Sequence, residues 1–186
     1  MRKKFPLFIL LFAFVFMFSA CSKTESSLEP DEVVLIQADY LQYDNAKELV
    51  DSADLVFTGQ VNNVAYEMLN IRSDQGPDPE TGLDDQDDLL PYTIFEIEIE
   101  EVLKGEYKEK TIQIKRLGGI HDNVEYLLMD ATEIQEGQSY LFTTHIYDDY
   151  PSLVNADQSV YNLNSSMGLT SDDDHITLLD ILDLFK

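Results

Sequence analysis

The sequence predicts a mainly β protein, an antiparallel barrel with a short helix on its N-terminal side and a second helix at the C-terminus. Three observations carry this. In residues 92–105, Phe95, Ile97 and Ile99 alternate with Glu96, Glu98 and Glu100, the period-two pattern of a strand with one buried and one wet face. On a helix those apolar side chains would scatter around the circumference, and their β-branched and aromatic character independently favours a strand. Shorter alternations recur at residues 55–66, 111–117 and 138–146, bounded by turn-forming Gly, Asn, Asp and Pro. Two further stretches, one beginning at Asn45 and one near Ser171, carry the 3.6-residue period of a helix facing a core.

In chain order, residues 1–20 open with Arg2, Lys3 and Lys4, continue as an apolar run to Phe18 and end in Ser19-Ala20 before Cys21. This is the layout of a secretory signal. An uncleaved membrane helix is the alternative, but a span needs roughly 20 apolar residues and this run is shorter, with Pro6 near its start. The segment resembles a bacterial lipoprotein signal peptide, in which small residues precede the cysteine that receives the lipid; Phe18 stands where that box usually has Leu. The resemblance implies a cleaved leader over residues 1–20, a diacylglyceryl group and palmitate on Cys21, and a place on the extracytoplasmic face of the cell membrane. One acyl chain binds a bilayer only marginally, so a firm anchor needs the two-chain group. Cys21 is the only cysteine, which removes intramolecular disulfides, thiolate metal clusters and thiol nucleophiles from consideration.

Residues 21–32 are polar apart from Leu28 and read as a lipid-anchored tether. Residues 33–186 then read as a single domain. Residues 33–43 show neither period and read as a short strand or an ordered approach to a helix. Asn45 with Glu48 has the form of a capping box, and Ala46, Leu49, Val50 and Ala53 follow at helical spacing. In the next strand Leu55, Phe57, Gly59 and Val61 share a side until Asn62-Asn63 shifts the apolar phase to Val64 and Tyr66, the signature of a bulge that bends a strand toward closure. Residues 73–88 hold Gly76, Pro77, Pro79, Gly82 and seven acidic residues, and read as a long exposed loop. A solvated loop is the favoured expectation; calcium bound by Asp84, Asp85, Asp87 and Asp88 is the alternative, because clustered carboxylates suit a hard divalent ion although EF-hand alternation is missing. No other cofactor is expected.

Lys104 to Tyr107 reads as a turn, residues 111–117 as a strand with Ile112 and Ile114 on one face, and Gly118-Gly119 as its end. Residues 125–134 have no clear period. In the strand of residues 138–146, Tyr140, Phe142 and Ile146 share a side; Asp148 to Pro151 makes a turn, and residues 152–155 and 159–163 form the last strand or hairpin. Ser171 and Asp172 to Asp174 would cap a helix in which Leu178, Ile181, Leu182 and Phe185 form a stripe that packs on the barrel or docks on a partner.

The order of helix, Ala53 to Val61, a strand ending Val102-Leu103-Lys104-Gly105, Thr111 to Ile114, then Glu136 to Phe142 is similar to small secreted barrels related to the inhibitory domain of tissue inhibitors of metalloproteinases and to the netrin module. The resemblance implies a five-stranded antiparallel OB-fold-like barrel with a short N-terminal helix and a C-terminal helix. Those inhibitors bind the protease zinc through a disulfide-bonded N-terminal cysteine. Cys21 would be lipidated, far from the barrel and without a cysteine partner, so that mechanism does not carry over.

Three function classes follow. The chain carries 12 basic and 36 acidic residues, and its leader removes three basic ones; phosphate binding needs a basic surface, so nucleic acid is excluded as a partner. The same charge repels an anionic lipid surface, leaving the lipid on Cys21 as the membrane contact. The first class is an anchored, non-catalytic binding module for an unknown protein or glycan, with Tyr147 and Tyr150 among its candidate contacts. The second is a loop-mediated protease inhibitor, implied by the resemblance. The third is a hydrolase: His121, His145 and His175 are dispersed, and His121 with Asp122 after Gly118-Gly119 is the candidate base, against the simpler expectation of a solvated loop histidine. No catalytic residue is assigned.

Overall fold

The computed structural model describes residues 30–70, 89–147, 150–164 and 176–186. Cys21, His175, the calcium candidates Asp84, Asp85, Asp87 and Asp88 and the helix-cap candidates Ser171 and Asp172 to Asp174 lie outside the described residues, as do residues 1–20 and most of the stretch expected to be a tether. In chain order the elements are β1 (Glu32–Ile36), α1 (Ala46–Ser52), β2 (Leu55–Asn70), β3 (Leu89–Lys104), β4 (Thr111–Leu117), β5 (Gly119–His121), β6 (Val124–Leu128), β7 (Ser139–His145), β8 (Ser152–Leu153), β9 (Val160–Asn162) and α2 (Leu178–Leu182), which runs into a 3-10 turn at Asp183–Phe185.

Five strands close a barrel in the order β2-β3-β4-β8-β7, with β7 returning to pair with β2 and β9 adding to the same side of β7 as β8. Strands β2, β3 and β4 are consecutive, and β7 returns through a long connection to lie beside β2, which is a Greek key. The expected alternation holds. Phe95 and Ile97 point into the barrel with Leu55, Phe57, Val61, Ile112, Ile114, Tyr140 and Phe142, while Glu98 and Glu100 are exposed. The register of β2 on β3 slips between Val61 and Asn63, at the expected bulge, and also at Val56/Phe57 and Thr58/Gly59.

A second apolar layer lies outside the barrel. Asn45 Oδ1 accepts the Glu48 N–H at 3.0 Å and starts α1, whose Ala46, Leu49 and Val50 pack with Val56, Leu141, Leu178 and Ile181. β2 is therefore buried on both faces where α1 covers it. Leu182 and Phe185 complete the predicted stripe on α2 against this layer, so the helix packs within the molecule.

Five expectations are corrected. The strands are mixed rather than purely antiparallel, since β8 runs parallel to β4 through Lys115 and Ser152 and β1 runs parallel to β6. Residues 119–128, read as strand end and aperiodic chain, form the β5–β6 hairpin, which joins β1 in a separate three-stranded sheet. Its two-residue turn places Asp122 and Asn123 at φ 48° and 65°, the paired positive values of a type I′ turn that short polar side chains tolerate. β1 already begins at Glu32, the last residue of the stretch read as tether. Finally, α2 starts later than expected because Thr177 and Asp180 cap each other reciprocally there, and Ile146 is exposed beyond the end of β7.

Candidate functional site

A cleft of about 380 Å³ lies between the inner side of β2, β3 and β4 and the β5–β6 hairpin, with residues 131–134 along one side. Register places its key side chains. Tyr66 pairs with Thr93 and Thr93 with Arg116, so these three form a row across three strands. The next row, Val64, Phe95 and Ile114, belongs to or packs against the barrel core. Arg116 thus extends the inward stripe of Ile112 and Ile114 by one more step, where a core residue would continue the pattern.

Gly118 and Gly119 bring the chain back across this row. The Thr93 hydroxyl donates to the Gly118 carbonyl at 2.8 Å. A Cβ at Gly119, whose φ is +145°, would stand 2.8 Å from Tyr66 Cδ1 and 3.0 Å from Thr93 Oγ1, so a side chain there would fill the roof of the cleft.

The Arg116 guanidinium lies 5.1 Å from the centre of the Phe95 ring and donates from Nη1 to the Thr132 carbonyl at 2.6 Å. Burial pulls its pKa below the ordinary arginine value, partly offset by the phenols of Tyr40 and Tyr66; it remains a cation at any physiological pH. A smaller hollow of about 190 Å³, lined by Tyr40, Tyr92, Lys115 and Asn155, meets the other side of Arg116. Lys115 is buried on the opposite face of β4, its Nζ 5.9 Å from the Tyr92 ring and 5.6 Å from the Tyr147 ring.

No protein-family model matches the chain, and no curated protein matches it.

The sequence-derived candidates fall elsewhere. His121 ends β5 at the hairpin tip, its Nε2 3.4 Å from Asp122 Oδ2, and that carboxylate is 88 % exposed; the pair faces water rather than a cavity. His145 lies 3.4 Å from Asp54 at the far end of β7, with Tyr147 edge-on to its ring. The Asp54 carboxyl is held below the usual range first by the Ile146 backbone N–H, at 3.0 Å, and then by His145. Neither histidine lines the cleft. Tyr147 is exposed beside Lys115, whereas Tyr150 is partly covered. Among the described residues no group of three His, Cys, Asp or Glu side chains is placed to hold a metal ion.

A further depression, about 770 Å³ between α1, the chain leading into it and α2, is bordered by Tyr43, Asp157, Gln158 and Asp180. Its polar groups serve the fold. Gln158 accepts from the Tyr43 N–H and donates to the Tyr43 carbonyl, both at 3.0 Å, and Asn155 donates to Gln158 at 2.9 Å. This network fastens the segment before α1 to the loop before β9.

Sequence reasoning passed over Arg116. The available signal was its parity with Ile112 and Ile114, a charged residue in an inward position.

Proposed function

We propose that this chain is an extracytoplasmic binding module, lipid-anchored at Cys21, whose recognition site is the cleft beneath the β5–β6 hairpin. The leader and cysteine of residues 1–21 support the anchor. The Greek-key order of the closed barrel supports its resemblance to OB-fold-like modules, which commonly bind on their second and third strands and the adjoining loops. The observation that carries the reading is that the cleft is built on those strands: Thr93 and Phe95 come from β3, the second barrel strand, and Arg116 and Leu117 from β4, the third. An aromatic and apolar lining with one strong donor is the composition of a binding pocket.

Glycan and peptide arrays probed with the detergent-solubilised full-length protein test this, with Tyr66→Ala as the comparison. Ligands retained by the wild type and lost by the variant support the cleft. Binding that the variant leaves unchanged, or an array without hits, overturns it. Mass spectrometry of the membrane-extracted protein tests the anchor, and an intact leader or an unmodified Cys21 sulfur overturns that part.

A further inference from the structure

The chemistry of the cleft narrows its ligand. We infer that the cleft takes an organic anion, a carboxylate or phosphate monoester on an apolar or aromatic body, with the acid group seated on the Arg116 guanidinium. This rests on the cleft being the recognition site.

Arg116 has five N–H donors in a planar fork suited to a carboxylate or phosphate, and its bond to the Thr132 carbonyl uses Nη1. The molecule holds 36 acidic residues, yet among the described residues no carboxylate forms an ion pair with this guanidinium, and the groups that favour its charged form are the phenols of Tyr40 and Tyr66. Glu125 and Glu133 line the same cleft without reaching it; Glu133 accepts from the Gln135 side chain at 2.8 Å instead. Arg116 is partly buried, and a cation drawn out of water is stabilised most by a partner that brings the opposite charge.

The rest of the ligand follows from the walls. Tyr66, Phe95, Tyr126, Leu128 and Ile134 present apolar surface around the row. The volume of about 380 Å³ lies within the roughly 300–1,000 Å³ of small-molecule sites. A net charge of −24 repels anions at a distance, so a bare inorganic anion has only the Arg116 pair to set against that repulsion, whereas one with an apolar body adds the burial of that body.

The test is isothermal titration of the full-length protein in nanodiscs, with empty nanodiscs as reference, using phenylacetate, phenyl phosphate, the neutral phenylacetamide and inorganic phosphate. One of the two aromatic acids binds at least roughly 10-fold more tightly than the amide, and inorganic phosphate gives no heat. Arg116→Gln lowers the affinity of the preferred acid by roughly 10- to 100-fold, as expected for loss of a charge-assisted pair, and weakens the amide by clearly less. If Arg116→Gln does not fold, Arg116→Lys decides: it keeps the charge without the fork, and the acid weakens more than the amide. The tighter of the two acids identifies the group. Equal binding of acid and amide, both weakened by Tyr66→Ala, overturns the anion and leaves the cleft standing. An affinity indifferent to the Arg116 variants, or no heat from either acid, also overturns the anion, and the arrays then judge the cleft by themselves.

Discussion

Replacing Lys104 with Met should loosen α1 from the barrel. Lys104 is the last residue of β3, and its ammonium donates to the carbonyls of Val50 at 2.7 Å, Asp51 at 3.0 Å and Ala53 at 2.7 Å. These are carbonyls at the C-terminal end of α1, which have no partners further along the helix, and α1 has no basic residue in its own last turn. The charge therefore reaches across from a strand to the negative end of the helix dipole. It also acts on Asp51 and Asp54, whose carboxyls are lowered first by the Lys47 hydrogen bond and the Ile146 N–H respectively. A bond to a charged group contributes about 1.5–3 kcal/mol and a cation at a helix end about 0.3–1 kcal/mol. The three bonds share one ammonium, and the freed carbonyls regain water, so their values do not add. A loss of about 2 kcal/mol is expected, with methionine preserving the length of the stem. Urea unfolding followed by circular dichroism measures it as a lower midpoint at unchanged slope, and Lys104→Arg should recover part of the loss. A destabilisation below about 0.5 kcal/mol, the range of ordinary surface substitutions, would refute the capping role.

Three further outcomes are expected. Thr143 is fully buried with its hydroxyl unpartnered among the described residues, so Thr143→Val should stabilise by about 1 kcal/mol; a lower urea midpoint would mean the hydroxyl has a partner. Gly105 has φ +86° and a Cβ there would stand 2.5 Å from the Asp54 carbonyl oxygen, so Gly105→Ala should destabilise by about 2 kcal/mol or more in the same assay, and a neutral result would remove that close approach. The Asp180 carboxyl is lowered by the hydroxyl and backbone N–H of Thr177. Its contribution is complete above the ordinary value of about 4 and is lost as the pH falls through that value toward the lower folded one, so amide exchange of α2 should rise in acid before that of β2 and β3, and simultaneous loss would contradict it.

Much of the barrel was legible because its information is local. Phe95, Ile97 and Ile99 declare a face by alternation, Asn62-Asn63 marks a phase change, and Leu178, Ile181, Leu182 and Phe185 mark the buried side of a short helix. The small sheet was not legible. β1 buries little, with Val33 and Leu35 exposed, so its side chains do not alternate clearly, and its partner β6 lies ninety-odd positions away. β8 is two residues long, too short for any period to register. The candidate site had a readable trace in the parity of Arg116 with Ile112 and Ile114. What made it a cleft, the return of Gly118-Gly119 over Tyr66 and Thr93, depends on tertiary contacts that no window of sequence contains. Lys104 is similar: as a residue it looks like part of a turn, and its role appears only once the end of α1 is brought to it.

The closure of the barrel also sets an order of events for folding. β2 finds β3 through one connection, but its other neighbour is β7, and Leu55 and Thr144 are separated by 89 positions. Until residues 139–145 are in place, one side of β2 carries a bare row of amide and carbonyl groups from Leu55 to Gln60, a template for pairing with another molecule. Such distant pairings form late and slowly. A chain interrupted before β7 should therefore self-associate through β2, while the completed chain, with that row sealed, should not.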